Sequence, residues 1–592
     1  MLYFLGFITP DYTYLAKTSL QRRVQMNQPE SAGPPPAPNL EQTTPSSASP
    51  DEPKTSKAAK NMSLGRKTGR ALFWNVFFLP LKAGLQLFVT LVIVKTFPLE
   101  AYAVLAAVTA VLSTLGLYVD LGIERALPRF VSEIEQKQGR AALRLFITRI
   151  TLIKLAVLTV VVLIITVAAE PIISWMGSWG DQGHIYLALI SMLLVLGALY
   201  DICTQILYSF FKQKVTNLLD IVVTVLNPLL TLLLVGPLGL RVYGVVLALL
   251  ITTVISVGIA GWQAWLASKD LEVKLKTPKP NPAPSATDTG VIPRESLLKR
   301  FIRYAALMYF FNISAWFYDA SFAMLVFTFY REIVTVALIR LIYNFIKTLL
   351  KNLLSPFVGV QTPLFSSIHA EGHTPKLHTA YASISKLQIF ILVPSSIGAI
   401  ILARNILELL FARKSADAVL PVTLLEPATW ATILTIIFTF AEALISLPMV
   451  ILMVYERYRA VILARTLPLL AGPLLILTAA LHWNVVVAVT IMGLMAVSSR
   501  VMAMVSLQRT LGLYYPVKFL LKVSKAALAF GIPLQILVLF LPINWPITLG
   551  IAGTGVIIFY AVFKGLGGFD LEDKNRLQTL KMPLRKYIIK WF

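Results

Sequence analysis

Three observations predict an all-α polytopic membrane protein of about fourteen transmembrane helices. Of 592 residues, 57% are hydrophobic and only 14% are charged, against about half and about a quarter in an ordinary soluble domain. The mean hydropathy is +0.74. From Ala71 onward the chain repeats one unit, about 20 apolar residues and then a short polar break. Each unit can cross a hydrocarbon core of about 30 Å. The expected architecture is two six-helix bundles around a central cavity, followed by two additional helices.

Residues 1–66 differ from the rest. The first fifteen are mildly apolar but lack a basic n-region and a small-residue cleavage site, which argues against a signal peptide. The stretch from Gln28 to Lys60 is rich in Pro, Ser, Ala and Thr. Such a composition cannot bury a core, so a disordered cytoplasmic tail is expected. The first bundle, 67–263, should hold spans near 72–95, 99–119, 145–168, 184–210, 218–236 and 239–263. A hydrophilic segment, 264–302, carries Pro278, Pro280, Pro282 and Pro284 and reads as a cytoplasmic linker. The second bundle, 303–505, should hold spans near 303–327, 332–360, 386–403, 426–453, 460–480 and 483–505. Two more follow within 506–563, near 523–541 and 544–563, and 564–592 is a basic cytoplasmic tail. Six spans before the linker is an even number, so both bundles enter the membrane from one side.

Loop charge sets the orientation. The breaks on one side carry 31 Lys and Arg. Those on the other carry six: Lys95, Arg241, Arg331, Arg404, Arg413 and Lys414. The positive-inside rule therefore puts both termini in the cytoplasm. The net charge of +24 is spread between apolar spans, which fits anionic lipid headgroups and not nucleic acid. A single cysteine, Cys203, excludes an internal disulfide. No Gly-rich loop ends in Gly-Lys-Ser/Thr, so no ATP site is expected. The His369-to-His373 pair has its Glu misplaced for a zinc helix, and neither a metal site nor a cofactor is predicted.

The informative residues are polar ones inside the spans. In the eighth, Arg340, Asn344, Lys347 and Lys351 stand at i, i+4, i+7 and i+11. At about 100° per residue they fall within a fan of roughly 60°. In the seventh, Tyr309, Asn312, Trp316 and Asp319 share a face about 80° wide by the same spacing. Lys82 and Gln86 make a smaller polar pair in the first span. Each charge at mid-bilayer costs about 2.5–3.5 kcal/mol unless hydrated or paired. Two readings compete: structural pairing, as of Asp319 with Arg340, and a wet cavity. Lys82, Lys351 and Arg465 can alternatively snorkel to an interface. A cationic cavity favours an anionic substrate, and phosphate suits Arg and Lys through charge-assisted hydrogen bonds. On this reading Arg340, Lys347, Lys351, Asn344, Lys82, Tyr309, Asn312 and Trp316 bind substrate. Asp319 or Glu442 exchanges a proton or sodium ion.

Some segments resemble a known family. Pro98 to Ala103 (PLEAYA) and Tyr118 to Phe130 (YVDLGIERALPRF) are similar to the first hairpin of the polysaccharide biosynthesis, or O-antigen flippase, family. That family lies in the multidrug/oligosaccharidyl-lipid/polysaccharide exporter superfamily. Phe365 to Ala370 with Leu377 to Lys386, and Leu407 to Phe411 with Ala416 to Ala418, resemble its later loops. The resemblance runs from about Gly65 to Lys564. It implies a transporter and not an enzyme: a flippase moving a polyprenyl-pyrophosphate-linked oligosaccharide across the cytoplasmic (inner) membrane by alternating access. Its implied partners are that glycan, membrane lipids, H+ or Na+, and a polysaccharide polymerase or glycosyltransferases. The Pro-rich tail departs from the family pattern, and the two trailing helices leave open a peptidoglycan-precursor flippase. A multidrug/cation antiporter of the same superfamily is the other alternative. A membrane glycan polymerase fits less well, because the outer loops are short.

Overall fold

The chain was analysed as a computed structural model. It describes residues 84–569 except 178, 180–181, 210–212, 274–296, 344, 347–360, 362–364, 366–367, 370–373, 414, 416–417 and 543. The expected N-terminal tail, the C-terminal tail beyond residue 569, most of the linker, and the candidate residues Lys82, Asn344, Lys347 and Lys351 lie outside the described residues.

Among the described residues, helices form where the apolar runs were read, because backbone polar groups inside a bilayer must be satisfied within their own segment. The described helices are α1 (Gly84–Thr96), α2 (Leu99–Asp120), α3 (Ile123–Val167), α4 (Ala169–Met176), α5 (Gly183–Ser209), α6 (Gln213–Val235) and α7 (Arg241–Val273). They continue with α8 (Leu297–Trp316), α9 (Ala320–Phe329), α10 (Ile333–Tyr343), α11 (Thr374–Leu410), α12 (Leu425–Leu444) and α13 (Leu447–Val454). The last are α14 (Tyr458–Thr466), α15 (Ala471–Ala480), α16 (Val485–Leu511), α17 (Val517–Phe540) and α18 (Trp545–Gly565). Among the described residues, eleven helical segments are long and apolar enough to cross a membrane, and the bent pair α8–α9 makes twelve. The shorter α1 and α10 stand where the first and eighth spans were expected. The protein is a multi-pass membrane protein with an apolar surface: Phe540 is 82% exposed and Ile557 71%.

Two departures from the sequence reading have clear causes. Residues 123–144 were expected as a loop but belong to α3, which has 45 residues. At 1.5 Å per residue α3 runs about 67 Å, so roughly half of it projects beyond the core. The seventh span is not one helix. Asp319 takes an extended conformation (φ −85°, ψ 153°), and its carboxylate accepts hydrogen bonds from the Ser321 amide and hydroxyl. It is an N-cap, and α8 and α9 meet there at 54°. Phe317, inside the break, packs on Gly472 of α15, where a Cβ would lie 2.6 Å from its ring.

Helices α2, α3, α5, α6 and α7 pack into one set, and α8, α9 and α11–α16 into a second. Helices α17 and α18 pair and lie on α11. The sets meet where α2 contacts α8 and α9, and α3 contacts α8. At one end of this seam Phe130, Phe146, Phe301 and Tyr304 stack edge to face around Ala305. At the other, a two-residue parallel ladder (β1 Ala412–Arg413, β2 Leu420–Pro421) and the Pro98–Ala418 bridge close over the start of α2. There Arg413 donates to the Lys95 carbonyl.

Candidate functional site

The seam along α2 gathers most of the described candidates. Arg340, on α10, turns toward α2 and not toward Asp319. Its Nη1 donates to the Leu105 carbonyl at 2.9 Å and to the Thr109 hydroxyl. Its guanidinium carbon lies 5.5 Å from the centre of the Tyr102 ring, within cation–π range. The expected Asp319–Arg340 pairing is therefore replaced by contacts across the seam, because the α8–α9 break commits the Asp319 carboxylate to capping α9. All three Arg340 partners are neutral. One nitrogen makes both hydrogen bonds, and a guanidinium has five N–H groups in a planar fork.

On α8, Asn312 is buried and its Nδ2 donates to Asp120 Oδ2 at 2.8 Å. One turn on, Trp316 Nε1 donates to the Thr114 hydroxyl at 3.0 Å. Its ring sits edge-on to Tyr118 at 6.3 Å and to Phe322 at 4.7 Å. Tyr309 is half-buried on the same face, its backbone amide close against Gly122 at the end of α2. The predicted stripe is real for Tyr309, Asn312 and Trp316, but the helix ends before Asp319, so the fourth member leaves the face. Asn312 and Trp316 donate to α2, and Tyr309 makes no such bond among the described residues.

A second polar cluster lies inside the second set. Arg500 on α16 donates through Nε and Nη2 to Glu442 Oε1 of α12 at 3.2 and 2.8 Å. Arg465 was readable as a snorkelling residue, yet it is buried and donates to the Tyr318 hydroxyl in the α8–α9 break. Its Nε has no partner among the described residues. Each coupling candidate's carboxylate already holds a donor: Asp319 the Ser321 amide and hydroxyl, and Glu442 the Arg500 guanidinium. Glu442→Ala is expected to destabilise the protein by about 3 kcal/mol, because removing one partner of a shielded pair orphans the other charge. The readout is the melting temperature in detergent. Joint Glu442→Leu/Arg500→Met should recover most of the loss.

Sequence reasoning passed over Thr109, Thr114, Asp120 and Lys154. The first three are short polar residues on a span whose own pattern is ordinary; only their partners mark them. Lys154, 1% exposed on α3, lines a cavity of about 240 Å³ that Asp201 of α5 also lines. Of the expected loop histidines, His369 packs 4.3 Å from Tyr455, and His373 lies outside the described residues. No group of three or more His, Cys, Asp and Glu gathers as a metal site among the described residues.

The seam, the broken helix and the trailing pair can be set against known architectures. No protein family model matches the chain, and no curated protein does. Solved structures do. The lipid II flippase MurJ in an inward closed conformation superposes with a TM-score of 0.60 over 84% of this chain and 97% of its own, at 13% identity. The chain has the fold of these transporters. A MATE transporter in complex with MaD5 matches at 0.50, over 75% of this chain and 96% of its own, also at 13% identity. An inward-facing multidrug resistance MATE family transporter of the MOP superfamily is a looser match, at 0.47 over 73% and 94%, with 15% identity. What the chain shares at this identity is the helix arrangement.

Proposed function

We propose that the protein is a flippase for a polyprenyl-pyrophosphate-linked oligosaccharide. In this reading the glycan and its phosphates pass along the seam between the two helix sets, and the lipid tail stays in the bilayer. One observation carries it: Arg340 stands in an apolar helix against α2, and its partners among the described residues are all neutral. A guanidinium so placed is costly, and a pyrophosphate is the anion its fork matches best. Lys347, Lys351, Asn344 and Lys82 are proposed to complete the basic face, with Tyr309, Asn312 and Trp316 against the sugars. Both termini are taken as cytoplasmic, at the inner membrane.

A peptidoglycan-precursor flippase is the second reading. It is supported by the length of the MurJ match, which reaches 84% of the chain. A multidrug/cation antiporter would favour acids at the seam; Asp120 is one, bonded to Asn312, and the Arg340 guanidinium beside α2 is what favours an anionic substrate instead. Vesicles holding the purified protein should move a fluorescent polyprenyl-pyrophosphate oligosaccharide between leaflets. Movement of a lipid-linked muropeptide alone would select the second reading, and efflux of a cationic dye alone would discard both.

Coupling to H+ or Na+ is proposed at Asp319, with Glu442 as the second candidate. Asp319→Asn separates charge from structure, because Asn caps a helix about as well as Asp. The expected result is normal protein level and melting temperature with transport that no longer responds to an imposed ion gradient. An unchanged gradient response would remove Asp319 from the coupling role.

A further inference from the structure

Three of the four described side chains assigned to substrate, Arg340, Asn312 and Trp316, donate in this conformation to acceptors on a single helix, α2. Arg340 is held by Leu105 and Thr109, Trp316 by Thr114, and Asn312 by Asp120, all on α2. The acceptors are a carbonyl, two hydroxyls and a carboxylate. Those are oxygen groups of the kinds that a glycan hydroxyl or a phosphate presents. The donors come from two different helices, α8 and α10, so α2 is their shared partner.

We infer that α2 stands in for the substrate: Thr109, Thr114 and Asp120 are positioning residues that keep the donors of α8 and α10 occupied until a pyrophosphate-linked glycan takes them over. This rests on the proposed function for the identity of the incoming ligand. The physical reason is the cost of an unmade bond. A buried donor loses far more when left unpaired than it gains from any one partner, and Asn312 and Asp120 are both buried. The sets therefore separate along α2 only when another acceptor arrives. An empty protein stays shut, and a loaded one is free to open. Substrate affinity is reduced by the fraction of molecules that α2 holds closed. Weakening the α2 contacts should tighten ligand binding, the reverse of what damage to a binding site would do.

The experiment uses the full chain in nanodiscs, with Cys203→Ser and spin labels at Ser113 of α2 and Ile302 of α8, both exposed. The probe is undecaprenyl pyrophosphate. Wild type should show one short distance that lengthens when the probe binds. Asp120→Ala should show the long distance without the probe and bind it about tenfold more tightly. The reciprocal exchange Asp120→Asn/Asn312→Asp, which rebuilds the bond with its polarity reversed, should restore the short distance. Should Asp120→Ala fail to fold, Asn312→Ala removes the same bond from the other helix and must open the same end. A single short distance in these variants, with probe binding unchanged or weaker, overturns the inference. A wild type that does not bind the probe overturns the hand-over together with the proposed function. In that event the distances of the probe-free variants still decide whether α2 is the latch.

Discussion

Arg340→Ala should abolish transport of a pyrophosphate-linked glycan while the protein accumulates normally in the membrane. A charge-assisted hydrogen bond is worth about 1.5–3 kcal/mol, and a guanidinium fork can offer a pyrophosphate two. Losing both costs roughly 3–6 kcal/mol, more than a hundredfold in binding. The closed form should suffer less. It loses two bonds to neutral acceptors, and removing Arg340 also removes the cost of keeping a guanidinium inside the bilayer. Arg340→Lys should recover only part of the activity, because an ammonium keeps the charge but not the planar fork. Transport at the wild-type rate in Arg340→Ala vesicles would end the assignment.

Gly122→Ala is the second change with a large expected effect, and it acts through geometry. Gly122 follows α2 in a left-handed turn, φ +72°, beside Leu121 at φ +50°. A Cβ there would lie 2.1 Å from the Ala305 carbonyl oxygen and 2.7 Å from the Tyr309 amide nitrogen. Those are backbone atoms of α8 and cannot rotate away. The left-handed conformation alone costs a residue with a Cβ about 1–2 kcal/mol, and the overlap adds to that only while α8 stays in place. The variant should relieve the clash by parting α8 from the α2–α3 turn. That would open the Phe130–Phe301 aromatic contacts and pull Asn312 from Asp120. Expected results are a protein that folds, reacts with thiol reagents at an introduced Ala305→Cys, and does not transport. A Gly122→Ala protein as protected at that position as its Gly122 parent would show that the close approach is not required.

Much of the architecture was legible in the sequence, for physical reasons. A bilayer admits helices and little else in a chain this apolar, so run length alone located the spans. Intramembrane charge is costly, so Arg340, Asp319 and Glu442 stand out by their position inside apolar runs. The stripe of Tyr309, Asn312 and Trp316 was also correctly placed on one face, since it lies within a single unbroken helix. Periodicity failed at Asp319, because spacing assumes continuity and a capping carboxylate ended the helix one turn earlier. The snorkelling alternative for Arg465 does not apply: the residue is buried and donates to the Tyr318 hydroxyl. Thr109 and Thr114 gave no usable signal: Ser and Thr are tolerated anywhere in a membrane helix by bonding their own backbone, as Thr109 also does to Leu105 and Ala106. Asp120 stood in the Tyr118–Phe130 motif, but read as a loop charge it gave no hint of its partner Asn312.

The sequence by itself determined that this is a multi-pass helical membrane protein, where its spans lie, and which buried charges need explanation. Those properties follow from hydrophobicity and length, which are local and additive along a chain. The tertiary structure alone decided the partners. It committed Asp319 to a helix end, Glu442 to Arg500, and Arg340, Trp316 and Asn312 to α2. Partner choice depends on which helices meet, over separations of up to 235 residues, and no local pattern encodes that.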